Sequence, residues 1–155
     1  MRRRTVFTVP LLSVALLAAC APVVRLEAAE KANAVDCANM MVRLPETVEE
    51  LPRRQVDAQS TAAWGDPVAA LIRCGVPRPG PTALPCVTVD GVDWLIDEKD
   101  APRFVFTTFG LEPATEVIVD SEAVSGTSVL RAVSDAVASQ SEPVAACLDA
   151  SDVLS

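Results

Sequence analysis

The chain has 155 residues, a formal net charge of −8, five Cys, and neither His nor Tyr. That length suits one domain with a modest core. The acidic balance weighs against nucleic acid as a partner and against electrostatic adhesion to an anionic membrane surface.

The chain opens MRRRTVFTVPLLSVALLAAC. Three arginines, Arg2, Arg3 and Arg4, precede an apolar run over residues 6–19. A basic start followed by a short apolar run has the form of an export signal and is too short to span a bilayer comfortably. The run ends in Leu17-Ala18-Ala19-Cys20, which resembles a bacterial lipobox. Residues 1–19 are therefore expected to be removed, and Cys20 is expected to be acylated and to anchor the protein on the extracytoplasmic face of the cell membrane. An ordinary secretory signal is the alternative. The signal holds three of the 13 Lys and Arg and none of the 21 Asp and Glu, so the remaining chain carries 10 − 21 = −11. Anchoring then falls to the acyl chains, at roughly 0.8 kcal/mol per buried methylene.

Residues 20–33 read as a tether between lipid and domain. Over residues 34–44 the spacing predicts a helix: Cys37, Met40, Met41 and Leu44 share one face, Asn33 and Asp36 stand in capping positions, and Pro45 stops it. The two methionines are core filler. An acidic, Pro-bounded loop follows, and then a short edge strand over residues 53–58. Trp64-Gly65-Asp66-Pro67 marks a turn. Residues 68–74, VAALIRC, form an apolar run that reads as a buried strand, with a short helix as the alternative. Residues 75–85 hold four Pro and two Gly and read as a loop.

The clearest local signal spans residues 87–96. Asp90-Gly91 between two alternating runs is the preferred two-residue hairpin turn. The register follows: Val89 faces Val92 and Val87 faces Trp94, with Ile96 on the same side. Further strands are expected over residues 103–109 and 116–120, the second with Val117 and Val119 inward. Residues 127–139 read as a helix with Val129, Leu130, Val133 and Val137 along its apolar side. The tail after residue 139 is polar except at 144–148.

The order helix, strands, helix, with short connections, predicts an α+β fold: a small antiparallel sheet with helices packed on one face. The expected domain runs over residues 34–148, with a polar tail at 149–155. An even set of four cysteines, Cys37, Cys74, Cys86 and Cys147, in an exported small domain predicts a disulfide framework. Three pairings are open. Cys37–Cys74 with Cys86–Cys147 is favoured, and Cys74–Cys86, closing the Pro-rich loop, is the rival.

Little in the chain suggests catalysis. A Ser or Cys nucleophile needs an adjacent base, and without His only Lys31, Lys99 or a carboxylate remains. Zinc would need free thiolates, which disulfides consume. Asp97-Glu98-Lys99-Asp100 lacks the spacing of a calcium loop and reads as a solvated turn. No enzyme activity, metal or cofactor is expected. Arg73 lies inside an apolar run, so it is expected to pair with a carboxylate, or else to meet an anionic ligand together with Arg53 or Arg54. Trp64 and Trp94 are residue types that fill cores; exposed side by side they would bind sugar rings or a protein partner. Trp64, Arg73 and Trp94 are thus the candidate binding surface. The expected function is that of a non-catalytic binding or scaffolding module meeting an envelope protein or the cell wall. The alternative is a cell-wall enzyme or small-molecule carrier with an anionic or sugar ligand.

Several motifs together carry a family likeness: Cys37 before Leu44-Pro45, Arg53-Arg54, Ala63-Trp64-Gly65-Asp66-Pro67, Leu71-Ile72-Arg73-Cys74-Gly75-Val76, Asp90-Gly91-Val92-Asp93-Trp94 and Thr107-Thr108 before Glu112-Pro113. Over residues 36–139 the chain resembles an actinobacterial family of exported proteins and lipoproteins known as domain of unknown function 3515. The resemblance implies an envelope location in a high-GC Gram-positive bacterium. It supplies no activity and no catalytic residues.

Overall fold

The computed structural model describes residues 22–148; the expected signal over 1–19, the acylation site Cys20 and the polar tail at 149–155 lie outside them. Two helices, α1 (Val35–Met41) and α2 (Gly126–Ala138), accompany eight strands. These are β1 (Thr47–Val48), β2 (Leu51–Arg54), β3 (Thr61–Trp64), β4 (Ala70–Val76), β5 (Cys86–Val89), β6 (Val92–Asp97), β7 (Arg103–Thr108) and β8 (Ala114–Asp120). They form one sheet in the order β1-β2-β3-β4-β8-β7-β6-β5, and every neighbouring pair runs antiparallel. The fold is α+β, as the order of elements predicts, and disulfide-stapled, as the even set of cysteines predicts.

The 90–91 hairpin forms in the expected register, Val89 opposite Val92 and Val87 opposite Trp94. Asp90 and Gly91 take φ of 46° and 80°, the paired positive values that a two-residue turn of this hand needs. The run at 68–74 is strand rather than helix from Ala70 on, with Val68 in the preceding turn: β4 continues to Val76 and joins β3 to β8 at the middle of the sheet. Two strands have no counterpart in the sequence reading. β1 is two residues long, and β3 is Thr-Ala-Ala-Trp with all four residues buried, so it has no polar alternation to betray it. The first helix is also shorter than expected. Its N-cap is Ala34, with no side-chain cap bond, so Asn33 does not cap it. Ser125 caps α2 by accepting from the Ser128 N–H.

The core lies between the sheet and the two helices. Cys37 and Met40 of α1, and Val129, Leu130, Val133 and Val137 of α2, meet Trp64, Ile72, Trp94, Val117 and Val119 of the sheet. Both disulfides follow the favoured pairing. Cys37 bonds Cys74, tying α1 to β4, and Cys86 bonds Cys147, tying β5 to the C-terminal segment.

Residues 22–33 are not a free tether. The Val24 N–H donates to the Gln55 carbonyl and the Val24 carbonyl accepts from the Asp57 N–H, at 2.8 and 3.3 Å, a parallel bridge to Val56. The Leu26 N–H donates to Asp57 Oδ1, Arg54 Nη2 donates to the Pro22 carbonyl, and the Lys31 N–H donates to the Gly75 carbonyl. Ala32 is buried. Physically, β1 pairs with β2 only as far as Pro52, and the N-terminal segment takes up unpaired backbone groups just beyond the C-terminal end of β2. Gly75 makes the approach possible. Its φ is +104°, and a Cβ there would sit 2.5 Å from backbone atoms of Lys31 and Ala32.

Candidate functional site

Alternation along the strands sorts the side chains into two faces. Register rows such as Ala62, Ile72, Val117, Phe106 and Ile96 face the helices. The rows between them face away. One runs Ala63, Leu71, Ile118, Val105, and the next runs Thr61, Arg73, Glu116, Thr107, Leu95. This helix-free face carries the candidate site.

The first and last segments of the described residues run beside it. Near β3, Arg25, Leu26 and Glu27 form one wall of a groove of about 590 Å³ whose floor is Thr61, Leu71, Arg73 and Ile118. Near β5 and β6, residues 145–148 face the Pro-rich loop across a second cleft of about 600 Å³, floored by Leu95 and Phe109. Cys147 is held there twice, by its disulfide and by its N–H donating to Asp93 Oδ2 at 2.7 Å. Leu84 and Leu148 stay exposed at the rim.

Arg73 stands where the expectation of a salt bridge puts it. Its Nη2 donates to Glu116 Oε2 at 2.6 Å across the β4–β8 pair. Its Nε is buried and has no partner among the described residues. Arg53 and Arg54 do not join it. Arg53 lies near Glu46, and Arg54 pairs with Asp66 at 3.0 Å. The cation that shares the groove with Arg73 is Arg25, in the segment read as tether.

The expected surface of Trp64, Arg73 and Trp94 does not form. Trp64 and Trp94 are both 0 % exposed. Register pairs them with Ala70 and Thr108 on the helix side, whereas Arg73 falls in a row of the opposite face. Trp64 donates its indole N–H to the Pro45 carbonyl at 3.1 Å. Trp94 Nε1 is buried with no partner among the described residues. Neither ring is available to a sugar or a protein.

Two further polar arrangements escaped the sequence reading. Gln140, 4 % exposed, accepts from Thr115 Oγ1 at 2.7 Å and donates to Cys74 Sγ and the Pro113 carbonyl. On the surface, Lys31 bonds Glu112, and Arg78 lies on the other side of the same carboxylate. The Lys31 hydrogen bond holds the Glu112 carboxyl below the usual carboxylate range, with the Arg78 charge adding to the effect. Among the described residues no group of three or more His, Cys, Asp or Glu is placed to hold a metal ion, and no helix is long and apolar enough to cross a membrane.

Searches of curated proteins and of solved structures find no match. A family model does match, over residues 5–146, and it covers the sheet, both helices and three of the four bonded cysteines, Cys37, Cys74 and Cys86. The chain belongs to the family described as "Protein of unknown function (DUF3515)".

Proposed function

We propose that this protein is a non-catalytic binding or scaffolding module of the cell envelope. A lipid on Cys20 holds it on the extracytoplasmic face of the membrane, where it meets an envelope protein or the cell wall through its helix-free sheet face. The observation that carries this reading is the pair of disulfides. Structural disulfides belong to oxidising compartments. They also occupy Cys37, Cys74, Cys86 and Cys147, which would otherwise be the natural nucleophiles or metal ligands in a chain without His. The contact chemistry left is that of the grooves: Arg25, Glu27, Asp57 and Arg73 around Leu71 and Ile118 at one end, exposed leucines at the other.

A small-molecule carrier is the second reading. It is favoured by the size of the two clefts, about 590 and 600 Å³, within the range of ligand sites.

The anchor is tested by metabolic labelling with a fatty-acid analogue. Label is expected on the wild type and absent from Cys20→Ala, which should leave the membrane fraction or remain unprocessed. Equal labelling of the two overturns the anchor. The binding role is tested in intact cells with a photo-crosslinking residue in place of Arg25. A discrete adduct is expected, together with no turnover of cell-wall precursors by the purified protein. Turnover that disappears on one conservative change leaving the fold intact overturns the non-catalytic reading.

A further inference from the structure

The segment between lipid and domain is too short to be a leash. Pro22, the first of the described residues, is already packed: its carbonyl accepts from Arg54 Nη2 at 3.2 Å. Val24 then bridges Val56, and Leu26 is fixed by Asp57. Only Ala21 stands between Cys20 and this packed segment. Two residues of chain span at most about 7 Å. A flexible link of a dozen residues would leave a domain free to turn, whereas this one leaves almost no slack.

We propose that residues 22–26 are a rigid mount, so that the domain sits flush on the bilayer in one orientation. Its contact surface is the β2 side of the sheet around Pro22 and Val23, and its partner is the lipid headgroup layer. The inference rests on the reading of Cys20 as acylated and adds the geometry. Val23 is 53 % exposed beside the attachment point. With the sheet standing on its β2 side, the strand order sets what faces outward. β5 lies six strand steps from β2, roughly 29 Å at the usual spacing between strands. The free edge at β5 is therefore held away from the membrane, towards the wall. No net electrostatic attraction to the bilayer is needed, since the acyl chains supply the affinity.

The test uses the full lipidated protein reconstituted in phosphatidylcholine vesicles that carry a nitroxide on the headgroup. A small fluorescent amino acid replaces Val23 in one variant and Thr88, exposed on β5, in the other. Quenching is expected to be severalfold stronger at position 23 than at 88. Inserting about ten Gly and Ser residues between Ala21 and Pro22 adds a coil of about 17 Å and is expected to abolish that difference. Protein that carries its lipid and floats with the vesicles, yet is quenched equally at both positions, overturns the mount and leaves the anchor standing. So does a difference that survives the insertion. Protein isolated without lipid overturns both readings.

Discussion

Trp64 and Trp94 are buried to the same extent on the same face of the sheet, yet only one indole is satisfied. Their Phe variants separate ring packing from the N–H. Trp64→Phe leaves the Pro45 carbonyl without its donor, while Trp94→Phe removes a donor that has no partner among the described residues. A net hydrogen bond is worth about 1 kcal/mol, so Trp64→Phe is expected to cost about 1 kcal/mol more than Trp94→Phe in denaturant unfolding. Equal losses would show that the Pro45 bond contributes nothing. The same scale holds what sequence conceals. Gln140 stands in a polar tail and reads as solvated, but tertiary packing brings it against Thr115, Cys74 and Pro113. No local pattern marks a side chain whose partners lie 25 to 66 residues away. Arg73 was legible, because a charge inside an apolar run must find a counter-ion or an edge.

At the scale of elements, legibility follows from how much of the signal is local. The 90–91 hairpin needs only its turn and two alternating strands, so its register follows from sequence. Val117 and Val119 alternate against Glu116 and Ile118, and both are buried. β3 escapes because Thr61 and Ala63 are buried on the side where a strand of this kind would show polar residues. The N-terminal segment escapes for the opposite reason. Its packing is mostly through backbone hydrogen bonds, which composition does not report. That segment also carries Lys31, the partner of Glu112. Because Glu112 titrates below the usual carboxylate range when folded, its contribution to stability is present above the unfolded carboxylate value and is lost as pH falls through the folded one. Lys31→Met is therefore expected to be slightly less stable than wild type at neutral pH, with the gap closing in acid. A carboxyl-detected NMR titration should place Glu112 higher in the variant. An unchanged titration would mean that Lys31 does not set it.

At the scale of the whole molecule, two disulfides close separate, non-overlapping loops, with sequence separations of 37 and 61. Each is worth about 4 kcal/mol in the chain-entropy model, a large share of a small domain's net stability. Their arrangement also has a consequence in time. If the chain is exported as proposed, threaded across a membrane from its N-terminus, its four bonded cysteines emerge in the order Cys37, Cys74, Cys86, Cys147. The first pair could then oxidise while its competitors are still on the other side, and Cys74 would be taken before Cys86, 12 positions later, arrives. In an exported chain, emergence order would then guard against the mispaired Pro-rich loop. Cys37→Ala removes the guard. In protein recovered from exporting cells, mass mapping under non-reducing conditions is expected to find Cys74 joined to Cys86 in a substantial fraction, with Cys147 left free. Refolding the reduced wild type in one step, with all four thiols present together, should yield some of the same misjoined species. If neither sample contains it, the loop sequence itself forbids the wrong bond, and the order in which the cysteines appear is immaterial.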